Sequence, residues 1–211
     1  MKTILKTCII AFALLLTISA NAQEKPITFG IKAGMNLSNM TEDLEADAKI
    51  GFNIGMTLDY AFTSNLYLLT GLDYSLEGSK EGDSKINLSY LKLPAHIGYK
   101  LPVTDNFKMI FHAGPYIAYA IDGKYKAGAV SIDAFNDDLV EVLGYKMKRF
   151  DFGLGLGVGA EFDKICVGVG YDLGLTDILD IKNSATIKEI TGIGDPKGKN
   201  MNAYLTVGYK F

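Results

Sequence analysis

Residues 150–162 (FDFGLGLGVGAEF) alternate between large apolar side chains and glycine or acidic residues. The apolar positions are Phe150, Phe152, Leu154, Leu156, Val158, Ala160 and Phe162. The positions between them are Asp151, Gly153, Gly155, Gly157, Gly159 and Glu161. Because successive side chains of a β-strand point to opposite faces, this period of two predicts a strand with one apolar face and one small or polar face.

The same alternation recurs in seven other segments, at 29–37, 50–60, 66–76, 91–99, 107–121, 165–175 and 201–211. Short connections at 61–65, 101–106 and 163–164 alternate with longer polar ones at 38–49, 77–85, 122–148 and 176–200. Short turns at one end and long loops at the other are typical of an up-and-down antiparallel meander, and closing the meander removes its exposed edges. The sequence therefore predicts an all-β fold, an eight-stranded up-and-down antiparallel β-barrel.

The direction of each face follows from the size of its side chains. The polar set holds 15 of the 23 glycines, at positions 30, 34, 51, 55, 71, 98, 114, 153, 155, 157, 159, 168, 170, 174 and 208. The interior of an eight-stranded barrel is only just wide enough for side chains, so small residues belong inside and the large apolar set belongs outside against lipid. Strands of about 10 residues also suit a tilted membrane span. We therefore predict a transmembrane β-barrel.

Charged residues of the polar set are predicted to face the interior. The acids are Asp59, Asp73, Asp151, Glu161 and Asp172, and the bases are Lys32, Lys92, Lys100, Lys108 and Lys210. Five charges of each sign favour a cross-linked, largely plugged lumen over an ion path. The alternative is a narrow porin-like channel for small solutes, since wide pores need about twice as many strands.

Residues 1–22 have the pattern of a secretory signal peptide. Lys2 and Lys6 form a positive region, residues 8–18 are an apolar run, and residues 20–22 (ANA) supply a small-x-small cleavage pattern. An apolar helix of about eleven residues would rise only about 16 Å, too little to cross a bilayer. We expect an exported chain whose barrel domain comprises residues 23–211, in which Cys166 is the sole thiol and no internal disulfide can form.

Composition excludes several other functions. The formal charge of −3 argues against a nucleic-acid partner. There is no G-x-S-x-G element of a serine hydrolase, and the glycines at 153, 155 and 157 continue into a strand instead of opening the helix of a dinucleotide site. We expect a protein that is not an enzyme, with no catalytic residue and no cofactor.

The two histidines, His96 and His112, form the one constellation that could carry chemistry. A hairpin folded about Thr104 would place them opposite each other, both facing inward. Two facing imidazoles could bind a metal or relay a proton. Because no third histidine or cysteine is in register, we predict hydrogen bonding inside the barrel and no metal site.

The segment 201–211 (MNAYLTVGYKF) ends on an outward-facing aromatic residue. Its alternate positions Leu205, Val207, Tyr209 and Phe211 resemble the C-terminal recognition strand of bacterial outer-membrane proteins. The resemblance implies that the barrel-assembly machinery binds the strand that ends at Phe211.

Three further stretches carry a resemblance to a family of barrels: FGIKAGMNLSNM (29–40), YLKLPAHIGYKL (90–101) and FDFGLGLGVGAEF (150–162). Together with the alternation over 23–211, they resemble the PorT-like outer-membrane β-barrel family, also called the porin family. The resemblance implies a place in the cell outer membrane and an eight-stranded barrel. Its namesake is linked to protein secretion, so an accessory role in secretion is a further alternative. No functional residue is carried over.

These observations lead to an expectation for the function. We expect a monomeric, non-enzymatic barrel with both termini in the periplasm, the long loops outside, and a structural or surface-interaction role. Its expected partners are outer-membrane lipid and lipopolysaccharide, with a surface or secretion protein as a further possibility. The acidic segment 38–49 could hold divalent cations that bridge lipopolysaccharide.

Overall fold

The computed structural model describes residues 26–42, 47–128, 130–136, 146–180 and 198–211. The strands are β1 (Ile27–Glu42), β2 (Asp47–Ala61), β3 (Leu66–Glu81), β4 (Ser84–Thr104), β5 (Phe107–Ala127), β6 (Val130–Asp133), β7 (Lys146–Met147), β8 (Phe150–Phe162), β9 (Ile165–Gly174), β10 (Leu179–Asp180) and β11 (Gly198–Lys210). Over the ranges just given, no helix is long and apolar enough to cross a membrane.

Eight of these strands close into a single antiparallel barrel. The order of neighbours is β4-β3-β2-β1-β11-β9-β8-β5, and β5 pairs with β4 to complete the ring. The first strand pairs with the last over thirteen positions, from Gly30 opposite Lys210 to Glu42 opposite Gly198. Short β6 extends the sheet beside the end of β5, and β7 pairs with β10. The predicted eight-stranded antiparallel barrel is confirmed.

The two faces of the barrel wall are sorted as predicted. On β8, the side chains of Leu154, Leu156 and Val158 are 49%, 60% and 45% exposed on the outer surface, whereas Asp151 is 1% exposed. Such a wall requires lipid outside, because an apolar surface of this extent is unfavourable in water. The apolar set therefore faces the membrane, and the polar set faces the lumen.

The two ends of the barrel differ. At the short-turn end, the connections are 62–65, 105–106 and 163–164, and both described termini lie close by, since the Phe211 amide donates to the Phe29 carbonyl over 2.9 Å. The opposite end, where β1, β3, β5 and β9 finish, is called the long-loop end below. Within it, β3 and β4 meet in a two-residue turn in which Gly82 has a φ of 54°, a conformation that glycine adopts without strain.

Several segments predicted to be long loops are in fact strand. β1 continues to Glu42 and β2 starts at Asp47, β3 and β4 stay paired up to Glu81 and Ser84, and β5 runs to Ala127. The prediction for 38–49, 77–85 and the start of 122–148 was wrong because these strands continue past the apolar belt, where the outward side chains become polar. The predicted signal peptide at 1–22 and residues 43–46, 129, 137–145 and 181–197 lie outside the described part of the chain.

At the long-loop end the inward side chains become apolar. We call this buried cluster the apolar cap: Met40, Ile86, Leu88, Tyr90, Tyr116, Ala118, Ala120, Ala134, Met147, Ile178 and Leu179. Six of its members are completely buried: Met40, Leu88, Tyr90, Ala120, Ala134 and Ile178. The cap brings together strand ends with the connecting segments that follow β6 and β9, so these segments fold over the mouth of the barrel.

Candidate functional site

The interior of the barrel contains all ten charged residues that the sequence pattern placed there. Seven of them are at most 8% exposed: Asp59, Asp73, Lys92, Lys100, Asp151, Glu161 and Asp172. The other three, Lys32, Lys108 and Lys210, are more open and form ion pairs with inward acids. These groups lie in two layers below the apolar cap.

The layer nearer the short-turn end is a network of two acids and three lysines. The Lys100 ammonium lies 2.7 Å from the Asp59 carboxylate and 3.1 Å from that of Glu161. Lys210 pairs with the same two acids, and Lys108 lies 3.8 Å from Glu161. Strands β2, β4, β5, β8 and β11 contribute one residue each, so the network cross-links the barrel wall through its centre.

The central layer is organised by Lys92, which is 5% exposed. Its ammonium lies 2.7 Å from Glu77 and 2.9 Å from Asp172, and 4.6 Å above the ring of Tyr116. Glu77 is 1% exposed and was missed from the sequence because it fell in the predicted loop 77–85. It raises the number of inward acids to six. Odd-numbered residues of β3, such as Asp73 and Ser75, face inward, so the residue number of Glu77 could have identified it.

Neutral polar side chains fill the same layer on the β1–β3 side. Asn36 donates to Ser75 over 2.8 Å, and Asn53 donates to Asn36 over 2.6 Å. Beside them, Lys32 and Asp73 pair at 2.8 Å. The neutral groups were missing from the charge count, yet one of them, Ser75, donates to the Glu77 carboxylate over 2.7 Å.

His96 and His112 contact each other inside the barrel. Their Nδ1 atoms are 2.8 Å apart, and the rings stack with centroids 5.0 Å apart and planes 19° apart. The predicted direct opposition was wrong, because His112 lies opposite Gly98. The turn lies at 105–106 and not at Thr104, and a one-residue irregularity follows between Pro102 and Thr104, so the pairing is offset by two residues from the prediction and the histidines meet diagonally.

Two glycines of β8 leave room for this imidazole pair. A Cβ atom at Gly155 would lie 2.7 Å from Cε1 of His96, and one at Gly157 would lie 2.6 Å from Nε2 of His112. The glycines of 150–162 therefore make space for the histidines inside the barrel. Across the described ranges, no group of three or more His, Cys, Asp or Glu side chains is arranged to hold a metal ion.

A cavity of about 170 Å³ lies among these layers. Buried polar atoms without a protein hydrogen-bond partner occur on four residues that line it: Oδ1 of Asn53, Asp73 and Asn202, and Nε2 of His96. A water molecule needs only about 10–15 Å³ of such volume, so the cavity can hold several waters that satisfy these atoms. The interior can thus hold small polar molecules.

The apolar cap is tied to the charged layers by hydrogen bonds. The Asn200 amide donates to the Tyr90 hydroxyl over 2.9 Å and to Asp151 over 3.1 Å, and the Tyr116 hydroxyl donates to Asp151 over 3.2 Å. These bonds satisfy the polar ends of two tyrosines whose rings belong to the cap. The remaining thiol, Cys166, lies on the inner face of β9 and is free.

Residues 21–180 match the profile of the family described as "Outer membrane protein beta-barrel domain". Neisserial surface protein A shares 13% identity with this chain at a TM-score of 0.53, covering 89% of this chain and 100% of that one. Ail of Yersinia pestis shares 14% at 0.46, covering 89% and 100%. The outer membrane enzyme PagL shares 15% at 0.49, covering 85% and 98%.

No curated protein matches the sequence. The likeness to Neisserial surface protein A supports the barrel fold, and the family match covers well over half of the 211 residues. The chain belongs to the outer membrane protein beta-barrel domain family and is located in the outer membrane.

Proposed function

We propose that this protein is a non-enzymatic outer-membrane barrel with a largely plugged lumen and a structural or surface-interaction role at the long-loop end. The observation that carries the proposal is the buried Lys92, held between Glu77 and Asp172 in the centre of the barrel. The pair with Asp172 on β9 crosses the lumen, so it lies in the path that a solute would take. Separating these buried charges has a free-energy cost, and that cost opposes spontaneous opening.

The apolar cap supports the same proposal at the long-loop end. Leu88, Tyr90 and Ile178 are completely buried across the mouth, where a water-filled pore would require polar walls. Two barriers of different chemistry therefore lie in series along the barrel axis. The cap resists ions and polar solutes, and the charged layers resist apolar ones.

Single-channel recording in planar bilayers tests this proposal. The wild-type protein is expected to give no stable open steps. The double variant Tyr90→Ala, Tyr116→Ala removes two rings from the interior and is expected to give small steps, whereas Tyr119→Ala, which alters a ring on the lipid-facing side of β5, leaves the bilayer silent. Stable steps from the wild type would contradict the plugged lumen and favour the alternative of a narrow solute channel. The 170 Å³ cavity among the inward side chains is the observation that favours that alternative.

The absence of enzymatic activity is part of the proposal. In the described part of the chain, each of the two histidine rings bonds to the other, and neither bonds to a hydroxyl or thiol that could act as a nucleophile. Both rings lie in the lumen, away from lipid substrates. A lipase or deacylase assay on purified protein is expected to give no turnover. Robust turnover that is lost in His96→Ala or His112→Ala would contradict this.

The orientation we propose places the long-loop end outside the cell and both termini in the periplasm. A cysteine introduced by Asp83→Cys in the β3–β4 turn, in a Cys166→Ser background, is expected to react with a membrane-impermeant maleimide on intact cells. The matched control Ser64→Cys, in the turn at the opposite end, is expected to react only after lysis. The reverse labelling pattern would overturn the orientation.

Export and assembly complete the proposal. Cleavage of residues 1–22 is expected to leave a monomeric barrel of 23–211, delivered through recognition of the last strand by the barrel-assembly machinery. Phe211 is 40% exposed on the outer surface beside Tyr209, with ring centroids 5.8 Å apart, so its ring is accessible to such a partner. Phe211→Ala is expected to lower the folded amount in cells without changing stability after refolding in vitro. An accessory role in secretion, as for the namesake of the PorT-like family, would appear as loss of a secreted protein in a deletion strain.

A further inference from the structure

Three lysines on neighbouring strands form a row across the outside of the sheet at the long-loop end. Lys80 on β3 lies directly opposite Lys85 on β4, and Lys85 lies directly opposite Lys126 on β5. Residues directly opposite in an antiparallel ladder share a face, with Cβ atoms about 5 Å apart. All three side chains are exposed. We call Lys80, Lys85 and Lys126 the lysine row.

The positive charge of this row is poorly compensated. None of the three lysines has an ion pair among the described side chains, and the nearest acid in register is Asp47, opposite Lys80 at one end. Like charges directly opposite each other destabilise a sheet. Lys124, on the same face, is different, because it lies 4.0 Å from Asp122 and opposite Asp133 on β6. The lysine row is thus an arrangement that an external anion would stabilise.

The position of the row indicates where that anion comes from. On β4, odd-numbered residues face outward, and the lipid-facing series that includes Leu93 and Leu91 continues through Ser89 and Asn87 to Lys85. Lys85 lies six residues beyond Leu91, about 20 Å along a tilted strand. Long lysine stems can reach back along such a wall towards a bilayer surface. The row therefore lies on the outer face above the lipid belt, beside the β3–β4 turn, and not in the lumen.

We propose that the lysine row binds the phosphate groups of the outer-leaflet glycolipid, lipopolysaccharide. Lysine ammonium groups bind phosphate as point charges, and clusters of basic residues beside a bilayer attract anionic headgroups. One multiply phosphorylated headgroup can contact several lysines spaced about 5 Å apart. The proposal rests on the proposed orientation with the long-loop end outside, and it does not depend on whether the lumen is plugged.

The experiment uses the complete barrel, residues 23–211, refolded into phosphatidylcholine vesicles with or without purified lipopolysaccharide. The readout is the midpoint of heat-induced unfolding, followed by the gel-mobility shift of the folded barrel. The row variant is Lys80→Gln, Lys85→Gln, Lys126→Gln. The matched control is Lys124→Gln, Lys148→Gln, Lys164→Gln, which removes three exposed lysines outside the row. A further arm replaces lipopolysaccharide by inorganic phosphate in the buffer.

Lipopolysaccharide is expected to raise the midpoint of heat-induced unfolding for the wild type and for the control. For the row variant, we expect the midpoint to rise by less than half of the wild-type increase. In phosphatidylcholine alone, the row variant is expected to be at least as stable as the wild type, because the repulsion between the lysines is gone. This second readout shows that the variant folds. An equal response of row variant and wild type would overturn the proposal, as would a control that loses the response equally.

An effect of inorganic phosphate as large as that of lipopolysaccharide would also overturn it, because the site would then bind a soluble anion. Failure of the proposed orientation is distinguishable from failure of the lysine row. The cysteine at position 83 reports the orientation in cells, whereas lipid binding in symmetric vesicles does not require it. Conductance, in turn, reports only on the lumen.

Discussion

The two halves of strand β4 show opposite polarity on the same faces. From Leu91 to Thr104, inward positions hold Lys92, His96 and Lys100, and outward positions are apolar. From Ser84 to Tyr90, the inward positions are Ile86, Leu88 and Tyr90, and the outward positions are Lys85, Asn87 and Ser89. Strand β4 continues through the change, and its pairing with β5 shifts register there, between Ser89 and Tyr90.

The exchange marks the point at which the solvent outside the barrel changes from lipid to water. Against lipid, apolar residues face outward and polar groups must find partners in the lumen. Above the membrane, the outer surface is wet, so the sheet follows the ordinary rule of an apolar core and a polar surface. The part of the barrel at the long-loop end is therefore stabilised by an apolar core, like a water-soluble β-protein. The membrane part is stabilised by buried polar contacts.

The largest effect expected from this difference concerns the buried cation of the membrane half. Lys92→Met leaves Glu77 and Asp172 without their ammonium partner, and breaking a buried pair in this way costs about 3–5 kcal/mol. The free energy of unfolding is measured by urea titration of the protein in phosphatidylcholine vesicles. Lys85→Met, seven residues earlier on the same strand, is the matched control, and we expect it to leave stability unchanged or slightly higher. Equal losses would contradict the distinction between the two halves.

A second prediction compares two leucines that face opposite environments on β4. Leu88 is fully buried in the apolar cap, so Leu88→Ala leaves a cavity and is expected to lower the free energy of unfolding by about 2–5 kcal/mol. Leu91 is 38% exposed on the lipid side, where acyl chains fill the space left by Leu91→Ala, and the loss is expected to be smaller. The same urea titration measures both. A larger loss at Leu91 would show that the cap is loosely packed.

A third prediction introduces a charge on the outer face in each half. Leu156→Arg lies near the middle of β8 on the lipid side and is expected to cost about 2–4 kcal/mol, as a charged residue at the bilayer midplane does. Asn87→Arg, on the outer face of β4 above the belt, is expected to change stability little, because the side chain meets water and headgroups. Folding yield in vesicles and the urea midpoint measure the two variants. A comparable cost at both sites would place Asn87 inside the hydrocarbon.

The membrane half was predictable from the sequence because lipid enforces a strict rule there. Alternation in 150–162 and its seven counterparts predicted the number of strands, the closure and all ten inward charges. The long-loop end was not predictable by the same rule, because its polarity is inverted. Glu77 was missed for this reason. After Leu76 the outward positions of β3 are no longer apolar, so this segment was predicted to be a loop.

The histidine pair shows a second limit. The parity of His96 and His112 predicted that both face inward, and that is confirmed. Their relative position depends on where the β4–β5 turn lies, which is 105–106 and not Thr104, and on a one-residue irregularity between Pro102 and Thr104. Proline cannot donate a ladder hydrogen bond, so its presence near a turn makes an irregularity more probable, but the sequence does not say by how many residues the pairing moves.

The smallest effect is expected at Tyr90, where the two halves of the barrel join. Its ring belongs to the apolar cap, and its hydroxyl accepts a hydrogen bond from Asn200, which also donates to Asp151. Tyr90→Phe keeps the ring and removes that acceptor, so we expect a loss of about 0.5–1.5 kcal/mol in the same urea titration. Tyr119→Phe, on the lipid-facing side of β5, is the control and should lose less. If Tyr90→Phe instead costs as much as Leu88→Ala, the apolar cap and the charged layers are coupled through this hydroxyl. The two halves of the barrel would then unfold as one cooperative unit and not independently.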